Sequence, residues 1–211
     1  MQASANNVRS KRANGSRVRN LAVAGMLSAV AFVLMFLDFP IPMLIPPFIK
    51  MDFSDLPALL GAFALGPVYG VVISLLKNIL HIVIAGTTTA CVGEVSNFLM
   101  GALFAASAGW IYKTHKSRKG ALLGALAGAV IMGVLSIPIN YFLVYPAYIQ
   151  FYGLPEPAIL DMYRLILPSM KNLIQCLIVF NAPFTLMKGL FDVVLCFIVY
   201  KPLSPILHGR H

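Results

Sequence analysis

Charge is scarce in this sequence. Asp, Glu, Lys and Arg make up 11% of its 211 residues, where a soluble domain carries about 25%. So few charges cannot cover the surface of a water-soluble fold, which excludes a soluble enzyme. Cysteine is scarce too. Cys91, Cys176 and Cys196 form an odd set without a C-x-x-C pair, so neither a disulfide framework nor a zinc site is indicated. They read as small apolar residues in or near helices. No G-x-x-x-x-G-K-[ST] occurs, which excludes ATP binding through a P-loop. G-x-S-x-G and H-E-x-x-H are missing as well, and two common hydrolase chemistries go with them. No internal repeat stands out, which disfavours a transporter built from inverted halves.

What is present is apolar. Hydrophobic residues make up 59% of the chain and the mean hydropathy is +0.85. Runs approaching the roughly 20 residues of a membrane crossing indicate an all-α integral membrane protein, and the same numbers exclude disorder. The charges that remain are one-sided: 16 Lys and Arg against 7 Asp and Glu, a net charge of +9. In a soluble chain that balance would suggest nucleic acid. Here the basic residues cluster beside apolar runs: Arg9, Lys11, Arg12, Arg17 and Arg19, then Lys113, Lys116, Arg118 and Lys119, then Lys201 and Arg210. Cytoplasmic loops look like this under the positive-inside rule, so the expected partner is a lipid bilayer and not nucleic acid.

If segments 1–19 and 113–119 are both cytoplasmic, an even number of crossings separates them. Three full-length runs do so, at 21–37, 68–85 and about 92–112. The short apolar segment Asp52–Leu65 is therefore expected to be a crossing as well. Residues 39–50 hold four prolines and cannot form a regular helix, yet they are apolar and must lie against something. A fifth run spans about 120–144. A Tyr- and Pro-rich loop follows, with a short interfacial helix expected near 158–167, and a sixth run covers about 172–200. The expected fold is a six-transmembrane-helix bundle with both termini cytoplasmic. Its parts are a basic tail (1–19), a membrane domain (20–201) and a C-terminal tail (202–211).

Ionisable groups inside a bilayer cost about 2.5–3.5 kcal/mol each on insertion scales and usually face a cavity or a partner. This chain has Lys77, His81, Glu94, Lys188 and Asp192 within apolar runs, accompanied by Asn78, Asn97, Asn140 and Thr185. With the orientation above, most of them fall in the outer half of the bundle, and Asp52 and Asp55 fall at the outer mouth of the short segment. That describes an outward-open pocket with a few polar groups in an apolar wall. Blander readings stand beside it. Lys188 and Asp192, spaced i,i+4, can neutralise each other. Lys77 can pair with Glu94. Asp52 and Asp55 can be a solvated helix cap. Small-residue faces occur at Ala22/Gly25/Ala29, with Ala24/Ser28 beside them, at Gly101/Ala105/Gly109 and at Gly120/Gly124/Gly128. Each can pack within the bundle, and the first can dock another membrane protein.

Several stretches carry a family resemblance. Lys50-Met-Asp-Phe-Ser-Asp-Leu-Pro-Ala-Leu59 followed by Gly61-Ala-Phe-Ala-Leu-Gly-Pro67 resembles the substrate-binding (S) component of energy-coupling-factor (ECF) transporters, in its riboflavin-specific branch. Leu76–His81, Gly93–Phe98, Lys116–Gly120 and the Asn140–Tyr141 pair are similar to that branch too. The resemblance implies a non-enzymatic subunit in a bacterial plasma membrane. Such a subunit has no catalytic residue, metal or cofactor. It captures riboflavin from outside and works with a transmembrane coupling protein and two ATP-binding-cassette ATPases. It also implies ligand binding by Asp52, Asp55, Glu94, Asn97, Asn140 and Lys188, and docking through Gly25 and Ala29, with Ala24/Ser28 as the alternative register. Thr185 stands where the family pattern has Asn. Composition alone does not choose riboflavin over thiamine or biotin. An S component for another vitamin, a stand-alone facilitator, and a membrane enzyme using His81, Glu94 and Lys77 are the competing readings.

Overall fold

The computed structural model describes the backbone of residues 2–208 and the side chains of residues 15–199. Most side chains of the two expected tails lie outside that range. Helices dominate: α1 (Gln2–Met35), α2 (Leu56–Ala64), α3 (Pro67–Ala85), α4 (Val92–Thr114), α5 (Arg118–Ile139), α6 (Tyr145–Phe151), α7 (Glu156–Ile166), α8 (Leu173–Cys176) and α9 (Ala182–His208). Five helical stretches are long and apolar enough to cross a membrane: Gly15–Met35, Pro67–Ala85, Val92–Thr114, Arg118–Phe151 and Leu173–Val199. Large apolar side chains such as Val83, Leu123, Phe142 and Ile198 point outward from them, as expected of a multi-pass membrane protein whose solvent is lipid.

The short segment departs from a regular crossing. Only nine residues of it, Leu56–Ala64, are helical, which is about 14 Å of helix. Its sequence of Leu, Ala, Gly and Phe is buried on nearly every side. A Cβ on Gly70 would lie 2.8 Å from Ala62 Cβ, 2.9 Å from Ala105 Cβ and 2.9 Å from the Ala58 carbonyl oxygen. Only glycine allows α2, α3 and α4 to approach this closely. Ahead of α2, the proline-rich segment folds into the bundle. A two-residue ladder pairs β1 (Phe39–Pro40) with β2 (Lys50–Met51), Phe39 opposite Met51. Ile45, Met51, Asp52 and Ser54 are then buried. Asp52 and Asp55 are therefore not a solvated cap at the outer mouth. They sit inside the protein, because the loop carries them there.

The fifth and sixth apolar runs are each interrupted by a π-helical turn, Asn140–Val144 and Leu177–Asn181. The backbone N–H of Tyr145 donates to the Asn140 carbonyl, and that of Ala182 to the Leu177 carbonyl. In both cases the turn ends two residues before a proline, Pro146 or Pro183. Proline has no N–H to give and its ring clashes with the carbonyl four residues back. Widening the preceding turn accommodates both, so the helices continue. The fifth run thus extends through Pro146 to Phe151 instead of ending near residue 144. The expected interfacial helix is α7, which turns Ile159 and Tyr163 inward and leaves Leu165 exposed. One apolar core, with Leu59, Phe63, Phe104, Ala129 and Val193, joins α2, α4, α5 and α9. A second, with Ile45, Tyr145, Tyr163, Leu177 and Phe180, joins the first loop to α7, α8 and the second π turn.

Candidate ligand-binding site

A cavity of about 390 Å³ opens between these cores, within the roughly 300–1,000 Å³ range of small-molecule sites. It lies at the end of the bundle where α1 and α3 finish and α4 begins, lined there by Met35, Phe36, Ala85, Gly93 and Glu94. The folded-in loop adds Ile45, Phe48 and Ile49. The fifth run adds Met132, Asn140, Val144, Tyr145 and Tyr148, and the last run adds Asn181, Phe184, Thr185 and Lys188. Asn140 and Asn181 belong to the two π turns, so the widened helices add two amides to the wall.

Its floor is a charge network. Lys77 is fully buried and donates to Asp55 Oδ1 at 2.6 Å and to Ser54 Oγ at 2.6 Å. Lys188 Nζ lies 3.1 Å from Asp52 Oδ2 and 3.2 Å from Asp55 Oδ2. The Asp52 carboxylate also accepts from the Ser54 backbone N–H at 2.8 Å and from Asn97 Nδ2 at 3.4 Å. Two lysines thus face two aspartates, a balanced set that makes burial of the charges tolerable. This overturns two of the blander expectations. Lys188 does not spend its charge on Asp192, whose carboxyl oxygens are buried without a hydrogen-bond partner. Lys77 does not pair with Glu94. Glu94 faces His81 instead, with its Oε1 3.2 Å from His81 Nδ1, and Glu94 Oε2 accepts from Thr87 Oγ1 at 3.0 Å.

A second polar cluster joins the fifth run, the last run and α7. The Tyr163 hydroxyl donates to Asn181 Oδ1, Asn181 Nδ2 donates to the Tyr145 hydroxyl at 3.3 Å, and the two tyrosine hydroxyls are 2.6 Å apart. Desolvation pushes the Tyr163 phenol pKa far above its ordinary value, so the ring keeps its proton and remains a donor. At the rim, Lys50 donates to Asp38 at 2.7 Å across the base of the folded-in loop.

Of the residues singled out from sequence, Asp52, Glu94, Asn97, Asn140, Thr185 and Lys188 line this one cavity. Asp55 lies just beneath it, on Lys77 and Lys188. Gly25 and Ala29 lie elsewhere, on an exposed face of α1 with nothing within 4 Å of a Cβ built on Gly25. Ala24 and Ser28 face inward, and the Ser28 hydroxyl donates to the Ala24 carbonyl at 2.8 Å. Among the described residues, no group of three or more His, Cys, Asp or Glu side chains could hold a metal ion.

The sequence model for the substrate-specific component of ECF transporters matches residues 19–200. The chain belongs to this family. Its role is therefore transport rather than catalysis. The S component is 36% identical to the riboflavin transporter FmnP of Bacillus subtilis (strain 168), over 90% of this chain and 94% of that one. It is 34% identical to the riboflavin transporter RibU of Staphylococcus aureus (strain TCH60), over 93% and 96%. It superposes on the solved S component of a bacterial ECF transporter with a TM-score of 0.70, at 33% identity, covering 90% of this chain and 98% of that one. Sequence reasoning missed Asn181, Tyr145 and Tyr148 as parts of the S component's cavity. Asn181 had a visible signal, a lone amide in the apolar stretch Leu177–Ala182, two residues before a proline.

Proposed function

We propose that this S component is the high-affinity riboflavin-binding subunit of an ATP-driven importer in a bacterial plasma membrane. One observation carries the reading: a single cavity joins polar groups from five elements to a wall of Phe36, Phe48, Tyr145, Tyr148 and Phe184. Riboflavin is a flat apolar ring with a uracil-like edge and a chain of hydroxyls, and it needs that combination. The two relatives above, both riboflavin transporters, support the same ligand. Asn140 donates its amide N–H to the Ser136 carbonyl at 2.7 Å, which leaves its oxygen to accept from the ligand. Thr185 keeps a hydroxyl at the position where an amide was expected, and Lys188, Asp52 and Asn97 meet the ligand from the floor. Asp55 supports them from below, and Glu94 closes the rim with His81.

The chain makes six passes, α2 and the loop before it forming the second, with both termini in the cytoplasm. The cavity then faces outward and the basic segment 113–119 faces in. A transmembrane coupling protein and two ATP-binding-cassette ATPases complete the importer, the coupling protein docking on the Gly25/Ala29 face of α1.

The deciding experiment is purification in detergent. The protein is expected to be yellow, with the flavin's fluorescence quenched by the aromatic wall. A colourless chain that ignores riboflavin and retains another vitamin overturns the ligand. Uptake into proteoliposomes by this chain alone, without partners or ATP, overturns the subunit role in favour of a facilitator.

A further inference from the structure

Tyr163 belongs to α7, outside the five long helices, yet its ring is wholly buried. Its hydroxyl closes a three-membered ring of hydrogen bonds with Asn181 and Tyr145. Tyr163 spends its one proton on Asn181 Oδ1, so Tyr145 donates to the Tyr163 oxygen and accepts from Asn181 Nδ2. Every proton in the ring is used once. The Asn181 amide is gripped at both ends, its oxygen by one tyrosine and one of its N–H groups by the other. The second N–H has no hydrogen-bond partner among the described residues, and Asn181 lines the cavity. Tyr145 lines it too, whereas Tyr163 does not.

We infer that Tyr163 is a positioning residue for the ligand: through its hydroxyl it holds the Asn181 amide so that the free N–H points at a hydrogen-bond acceptor of the bound riboflavin. This rests on the riboflavin reading above and adds to it a residue that does not touch the ligand. It also gives α7 a task, since α7 brings the clamp from outside the long helices to the cavity wall. An amide held in place donates without the entropic cost of being ordered when the ligand arrives.

The test is a double-mutant cycle on the detergent-purified full chain, with riboflavin affinity read by flavin fluorescence and ligand-free melting temperature recorded alongside. Tyr163→Phe and Asn181→Ala are each expected to weaken binding about tenfold. The double variant is expected to stay near tenfold instead of reaching the hundredfold of independent effects. A Tyr163→Phe protein that melts earlier but binds within about twofold of wild type makes Tyr163 a fastening for α7 only. That result overturns the inference, as does a hundredfold loss in the double variant. Asn181→Asp covers the case in which Tyr163→Phe does not fold. It keeps the acceptor for Tyr163 but has no N–H to offer, so its affinity is expected to fall at least about tenfold, and wild-type affinity overturns the inference. A wild-type chain that does not bind riboflavin is a different result and defeats the functional reading itself.

Discussion

At the residue scale, the buried charges are the most consequential feature of the chain. Lys77 and Asp55 are almost completely buried and 2.6 Å apart. Removing Lys77 leaves Lys188 alone to face both Asp52 and Asp55, so one buried carboxylate goes uncompensated. Lys77→Met is therefore expected to destabilise the protein by about 3–5 kcal/mol, whereas Lys77→Met combined with Asp55→Leu recovers most of the loss, because Lys188 and Asp52 remain as a balanced pair. Thermal melts of the three purified proteins check this, and a double variant no better than the single sinks the pairing. Gly101 is tied to the same network. A Cβ there would collide with Asp55 Oδ1 and lie 2.7 Å from Ser74 Oγ. Asp55 is fixed by two lysines and cannot yield, so Gly101→Ala is expected to cost about 1–3 kcal/mol, read from the same melts. The sequence revealed which residues were too polar for their surroundings. It did not reveal their partners: Lys77 and Asp55 are 22 positions apart and Lys188 and Asp52 are 136 apart. Such pairings depend on how far the first loop descends, which no local pattern encodes.

At the element scale, the cavity wall depends on helices that are not regular. Pro146 and Pro183 each follow a wider turn that accommodates the proline ring, and those turns hold Asn140 and Asn181. Replacing Pro183 with Ala restores a donor and removes the clash, so an ordinary α-helical turn becomes available and the residues of the π turn rotate. Pro183→Ala is expected to weaken riboflavin binding by about tenfold or more while ligand-free stability holds or rises. Titration and melting together check it, and unchanged affinity would show that the widened turn does not shape the site. The five long helices were legible because a run of apolar residues is all a membrane crossing requires. The nine-residue α2 was legible only as a problem of parity between basic segments. The continuation of the fifth run to Phe151 was hidden, since a proline ordinarily marks where a helix stops.

At the scale of the whole molecule, the proposed function places binding and delivery on different surfaces, and this separation can be tested. The cavity is enclosed by α3, α4, the fifth and last apolar runs and the loops at that end of the bundle, and among the described residues of α1 only its last, Met35, reaches it, with Phe36 just beyond. Further along α1, the small-residue face of Ala22, Gly25 and Ala29 is exposed, while Val23, Ala24, Leu27 and Ser28 hold the opposite face against the bundle. Sequence alone left two registers open for this face. The buried one is already spent on α1's own packing, and only the exposed one lets a second helix approach closely. A Cβ at position 25 has nothing within 4 Å among the described residues beyond its own helix backbone, and the site is exposed, so Gly25→Leu is expected to leave folding and riboflavin affinity unchanged within about twofold. The same side chain would keep a coupling protein's helix at a distance and remove the close contacts on which helix association in lipid depends. Riboflavin uptake by cells or proteoliposomes containing the complete importer is then expected to fall to background, with co-purification of the coupling protein lost in parallel. Ala24→Leu gives the contrast, since it crowds the buried face and is expected to lower the melting temperature and impair binding together. Full uptake by the Gly25→Leu protein would remove this face of α1 from the docking surface and leave the binding site untouched.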